Sequence, residues 1–358
     1  MLLSLIVLLY FIVVQFFANN IKFYGNKGLP YFVLFLSFVI LNILRIYCQL
    51  FFSDIPNYKS IFEAIQPISF VMSSGYGLEL YDADVEIGFR VFISIYKFFC
   101  NDFFYFLFFI SIVELSVFYF FCKRCKISPV NAFPIYIALT YITFQIGMLR
   151  QALAFCFFLL ALVYINRKII YILFLLLGFT FHKSILFCVF FLWSDKFIKK
   201  EIIYGVFLIS LFLYLLKIDI INYFVAYLGM DEEVKAARVG FYMNVDRENN
   251  FLGIGFWERF ISFILMNVVY ADLLKKNKIT VNHNLIYNLG ISVIILQMIF
   301  FSSPTITSRL RYYIVIFPFI FLSEYIYSEY KSGIKWIYQF LFFMYLFMYL
   351  YFQASYLQ

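Results

Sequence analysis

Apolar residues in this chain come in runs of roughly 17–20 separated by short charged breaks, and about 20 such residues in a helix cross the hydrocarbon core of a bilayer. That spacing constrains the fold more than any motif. A backbone in lipid must satisfy its own polar groups, which leaves helices or a closed barrel, and runs of this length are helical. Composition points the same way: of 358 residues, 65% are hydrophobic and 13% charged, against about 45–50% apolar and about 25% charged in soluble globular chains. The class implied is an all-α, polytopic integral membrane protein. Water-soluble enzymes, disordered chains, fibrous proteins and disulfide frameworks are excluded. Aromatic residues make up 24% of the chain; they suit lipid-facing surface and interfacial belts, and do not by themselves mark a ligand site.

Crossings are predicted near 2–18, 31–50, 103–121, 129–147, 152–166, 202–216, 256–271, 285–303, 311–327 and 336–352. Two stretches stay ambiguous by hydropathy alone. Residues 88–101 are short and amphipathic and carry Arg90 and Lys97, while 169–194 holds two apolar runs broken at Phe181-His182-Lys183-Ser184. The positive-inside rule assigns both. Short basic breaks at Lys22/Lys27, Lys123/Arg124/Lys126, Arg167/Lys168, Lys196/Lys199/Lys200, Lys275/Lys276/Lys278 and Lys331/Lys335 hold 15 of the 28 basic residues. All six fall on the cytoplasmic side only if 88–101 does not cross and 169–194 enters and returns. The result is about 10–12 transmembrane helices with a re-entrant or returning hairpin, in a single domain over 1–358. Two loops face outward: the first over 53–101, including its interfacial segment, and the second over 217–255. Residues 53–86 carry six acids to one base, and 217–255 six acids to four bases.

The net charge of +8 therefore reports membrane topology first, and no nucleic-acid partner is expected. Cys122 and Cys125 have a CxxC spacing but no second pair and no nearby His, so neither zinc nor redox chemistry is expected. No HExxH, GxSxG, P-loop or dinucleotide fingerprint occurs, and no cofactor is expected. His283 reads as a solvated residue of a cytoplasmic break.

Eight basic residues belong to neither the six breaks nor the two outer loops: Arg45, Arg90, Lys97, Arg150, Lys183, Arg259, Arg309 and Arg311. An arginine at mid-bilayer costs about 2.5–3.5 kcal/mol on insertion scales, so such residues face a cavity, a partner or the interface. The topology puts most of these at the outer leaflet, with Arg150-Gln151 at the turn joining two spans and His182-Lys183 at the hairpin tip. Each arginine could snorkel to its own headgroup. A joint pocket of guanidinium forks would instead suit a diphosphate or carboxylate. Near them lie acids able to take a proton from a hydroxyl: Glu86, beside the entry to the segment carrying Arg90, and Asp54, which opens the same outer loop with Tyr58.

In chain order these elements read Leu44-Arg45, Asp54-x-x-x-Tyr58, Glu86-Ile87-Gly88-Phe89, Leu149-Arg150-Gln151-x-x-Ala154, Phe181-His182-Lys183-Ser184 and Ser308-Arg309-Leu310-x-Tyr312-Tyr313. In content and order the chain resembles the EpsG-like branch of the bacterial O-antigen and exopolysaccharide polymerases, the Wzy-type proteins. Two departures stand out: the family commonly has Glu-Pro-Gly-Phe where this chain has Ile87, and a Gly usual before the Asp element is missing before Asp54. The resemblance implies a metal-independent glycosyltransferase of the inner membrane with its active site facing the periplasm. It would transfer a growing glycan from undecaprenyl diphosphate to the non-reducing end of a second lipid-linked repeat unit. Arg45, Arg90, Arg150, Gln151, Arg309 and Arg311 would then bind the diphosphate, and Glu86, Asp54 or His182 would act in catalysis. Implied partners are undecaprenyl-diphosphate-linked oligosaccharides, membrane lipids, and chain-length-regulator and flippase proteins. A flippase of lipid-linked oligosaccharide and an O-antigen ligase remain as alternatives.

Overall fold

The computed structural model describes residues 28–48, 54–75, 78, 85–141, 147–218, 254–301 and 311–329. The crossings expected near 2–18 and 336–352, and most of the outer loop 217–255, lie outside the described residues. Among the described residues every regular element is a helix. In chain order they are α1 (Leu29–Cys48), α2 (Asp54–Ala64), α3 (Ile68–Ser74), α4 (Ile87–Phe99), α5 (Phe103–Arg124), α6 (Pro129–Tyr136), α7 (Leu149–Val163), α8 (Lys168–Phe179), a 3-10 helix (Lys183–Phe191), α9 (Lys200–Leu215), α10 (Ile254–Lys275), α11 (Val281–Ile299) and α12 (Ile316–Glu329). Among them α5 meets both the length and the hydropathy needed to cross a bilayer, while α7 and α8 are shorter apolar helices.

The chain divides into two compact units, residues 1–192 with 326–358, and residues 193–325. In the first, α7 packs against α5 and α8, and α1 against α5 and α6. Helices α2 and α4 fold onto this layer through a periodic stripe. Ile55, Tyr58 and Phe62 are the buried residues of α2, while Asn57, Lys59, Ser60 and Glu63 between them are exposed, the pattern of an amphipathic helix. On α4 the buried set is Phe89, Ile93, Ser94, Tyr96 and Lys97. These faces meet Phe106 and Ile110 of α5 and Leu149 and Leu153 of α7 in one cluster, with the Phe62 and Phe106 rings 5.2 Å apart and Tyr96 and Phe106 5.1 Å apart. A fully buried side chain of this kind contributes about 1.5–3 kcal/mol where its alternative is water. Lys97 is not an interfacial cation. It is buried, donating to Ile65 O at 2.6 Å with its ammonium over the Phe62 ring, and so satisfies a carbonyl left open where α2 ends.

Several sequence boundaries shift. The span expected over 129–147 changes register after Tyr136 into a π turn, Ile137–Tyr141, three residues beyond Pro134, which has no N–H to give the helix. The span expected from 152 starts at Leu149, so Arg150 lies in a first helical turn and not in the loop before it. Residues 169–194 form a short helical hairpin: α8 rises about 18 Å at about 1.5 Å per residue, and the 3-10 helix returns about the same distance at about 2.0 Å per residue. Lys168 Nζ donating to Leu192 O closes its base, and Tyr171 hydroxyl donates to Cys188 O at 2.5 Å.

In the second unit α9 and α10 pack against α11. The Phe207 and Phe263 rings stack 3.6 Å apart and Tyr270 and Tyr287 4.0 Å apart. His283 is not a free loop residue: with Thr280 it forms the capping box that starts α11.

Candidate anion site

Four of the six motif elements meet at one place in the first unit. The centre is Arg150, whose Nη1 donates to Glu86 Oε2 at 2.6 Å. The two residues reach it by different routes. Glu86 is the residue before the first turn of α4, at φ −62° and ψ 143°, and its carboxylate caps none of its own helix's amides, which leaves it to reach across to α7. Ile87 then occupies the first helical position, where proline is favoured because that N–H has no intrahelical partner; isoleucine fits the same position. Arg150 sits in the first turn of α7, where the preceding Met148 supplies no side-chain cap. A guanidinium at the positive end of a helix is electrostatically unfavourable, and the Glu86 carboxylate offsets it.

Tyr58 completes the centre. Its hydroxyl oxygen accepts from both the guanidinium and the backbone N–H of Arg150, so one phenol supplies a partner to an open amide of α7 and orients the side chain that follows it. Burial raises the Tyr58 phenol above its ordinary value, against the opposing pull of Arg150, and at neutral pH it stays protonated. Its ring meets Phe89 at 5.8 Å. Asp54, one turn earlier on α2, is exposed and acts on Tyr58 through its charge.

The hairpin tip closes the third side. Gly88 N–H donates to Thr180 O at 2.7 Å, and a Cβ at Gly88 would lie 2.2 Å from Thr180 Oγ1 and 2.7 Å from that carbonyl. Only a glycine lets α4 approach this closely. Phe181 packs between Phe92 and Phe157, at 6.0 and 5.1 Å. His182 Nδ1 accepts from Ser184 N–H at 3.2 Å and lies 2.7 Å from Ser184 Oγ, capping the 3-10 helix. With Nδ1 an acceptor, the neutral ring carries its hydrogen on Nε2. The Nε2 hydrogen is then the ring's remaining donor.

The other expected residues divide. Arg90, half-buried on α4, gives its Nη1 to Leu78 O at 2.9 Å. Gln151 is fully buried, 1% exposed, beside a guanidinium that is 26% exposed. The side chain of Arg45, and Arg309 altogether, lie outside the described residues. Arg311 belongs to the second unit, where its charge acts on Arg259, whose guanidinium stacks 5.6 Å from the Tyr214 ring centre. Sequence reasoning missed Tyr58 as a partner of Arg150 and Thr180 as the residue that meets Gly88. The Asp-x-x-x-Tyr spacing was the available signal for the first, since it puts both side chains on one face of a helix.

Among the described residues, then, an arginine paired with a carboxylate and braced by a tyrosine sits on a scaffold of helices, with the hairpin tip packed against the start of α4. The chain belongs to the EpsG family, whose model matches residues 28–358, and this membership points to a polysaccharide-polymerase function. No curated protein and no solved structure matches the chain.

Proposed function

We propose that the protein is a polytopic inner-membrane glycosyltransferase that polymerises O-antigen or exopolysaccharide on the periplasmic face. It moves a growing glycan from undecaprenyl diphosphate to the non-reducing end of a second lipid-linked repeat unit. The observation that carries this reading is the Arg150–Glu86–Tyr58 centre, in which a fixed guanidinium and a candidate proton acceptor lie in direct contact. Arg150 holds the donor diphosphate and stabilises the charge that develops as the glycosidic bond breaks. Glu86, with Asp54 as the second choice, takes the acceptor hydroxyl proton. His182 donates to a phosphate oxygen from Nε2, and Arg90 adds positive potential around the donor. Membrane embedding is supported by the apolar side chains turned outward from the hairpin and α9, among them Ile169, Phe190, Leu208 and Ile209, a surface unsuited to water.

The test is reconstitution of purified protein in vesicles with undecaprenyl-diphosphate-linked repeat units. A ladder of lengthened glycans is expected. Movement of substrate across the bilayer without elongation would instead identify a flippase, and glycan appearing only on lipid A core a ligase.

A further inference from the structure

Glu86 occupies one of the guanidinium donor positions that an incoming phosphate would use. Its Oε2 lies 2.6 Å from Arg150 Nη1, and the pair is largely withdrawn from solvent at 11% and 26% side-chain exposure. Tyr58 holds Arg150 from another side through both its guanidinium and its backbone N–H. The two contacts differ in kind. A carboxylate is an anion and competes directly with a phosphate for the fork, whereas a neutral phenol does not. We propose that Glu86 is a built-in competitor of the donor diphosphate: the diphosphate displaces it from Arg150, Tyr58 retains the arginine in place, and only the displaced carboxylate is available as a base. The inference rests on the polymerase reading and adds an order to it, with the donor bound before the acceptor hydroxyl can be activated.

The chemistry then balances. The released Glu86 carboxylate takes the proton of the acceptor hydroxyl as that oxygen bonds to the anomeric carbon. The bond from that carbon to the diphosphate oxygen breaks, its electron pair leaves with undecaprenyl diphosphate, and Arg150 meets the charge. While Glu86 remains paired, its Oε2 is turned to the guanidinium and not to an acceptor hydroxyl. An enzyme carrying activated donor but no acceptor must hold off water, and one carrying acceptor but no donor has no use for a base. The pair serves the second case.

The arithmetic of an internal competitor is that of a binding-competent state populated only in part. If Glu86 closes the site in most molecules, removing its charge raises the affinity for the diphosphate. The experiment measures binding of undecaprenyl diphosphate and, separately, of inorganic diphosphate to the full-length protein in nanodiscs. The set is wild type, Glu86→Gln and Arg150→Ala, with a thermal melt as the folding check. The expected result is that Glu86→Gln binds undecaprenyl diphosphate about 10-fold more tightly than wild type while Arg150→Ala loses binding. An inorganic diphosphate arm that follows the same order locates the effect in the phosphates, and one that shows no binding assigns it to the lipid-anchored form. Equal or weaker binding by folded Glu86→Gln, with Arg150→Ala still impaired, would overturn the competitor and leave the polymerase reading standing. Absence of binding by wild type would remove both. Should Glu86→Gln fail to fold, wild type alone decides: labelling of Glu86 by a carbodiimide and an amine, read by mass spectrometry, is expected to rise several-fold when undecaprenyl diphosphate is added. Unchanged labelling overturns the proposal.

Discussion

Arg150 Nη1 and Glu86 Oε2 meet at 2.6 Å across 64 positions of sequence, joining the start of α4 to the start of α7. Removing one partner leaves the other charge poorly solvated, whereas removing both does not. Arg150→Ala and Glu86→Ala should each lower stability by about 1–3 kcal/mol, and the double variant by clearly less than their sum. Thermal unfolding in detergent measures this; strict additivity would mean that the two groups do not interact.

Gly88 and Gly205 form an internal control. A Cβ at Gly88 would run into Thr180, while one at Gly205 meets nothing within 4 Å. Gly88→Ala should destabilise by about 1–3 kcal/mol and loosen the hairpin tip, and Gly205→Ala, within α9, should be neutral or stabilising by up to about 1 kcal/mol. Melting temperatures of the two variants, with proteolysis at the hairpin, check the contrast.

His182 has a capping atom and a donor atom on one ring. An asparagine carbonyl reproduces the position of Nδ1, so His182→Asn should melt close to wild type, whereas His182→Ala should lose about 1 kcal/mol with the cap. Elongation should fall in both, because neither keeps the Nε2 hydrogen. Normal elongation by His182→Asn would confine the residue to its cap.

Helical character, the returning hairpin and the nearness of the Glu86, Arg150 and hairpin-tip elements were legible in the chain, because long apolar runs and motif order carry them. Other features depend on contacts that no local pattern encodes. Gly147-Met148 offers no capping signal, so the extra turn that takes Arg150 into α7 could not be placed; its missing cap comes from Tyr58, about ninety residues upstream. Lys97 read as interfacial because lysine is rarely buried, yet two carbonyls of α2's end, Glu63 O and Ile65 O, draw it inward. Ile87 departs from the family's proline at a position where both residues start a helix.

That lysine gives a further prediction. Lys97→Met keeps the stem over Phe62 but loses the donor, leaving Ile65 O without its ammonium. The expected cost is about 1–3 kcal/mol. Ser94→Ala, which removes a 2.7 Å donation to Gln66 O, should cost about 1 kcal/mol. Unfolding midpoints decide, and a null effect of Lys97→Met would show that its carbonyl partners are satisfied by water.

The most direct test of the central claim is glycan chain length made by the Arg150→Ala protein at wild-type membrane levels, beside Arg150→Lys. The account predicts that elongation by Arg150→Ala falls about 10²–10³-fold, as for a lost oxyanion donor, leaving single repeat units. Arg150→Lys, which keeps charge but not the fork, should make short polymer. A normal length distribution from Arg150→Ala would contradict the role assigned to this arginine.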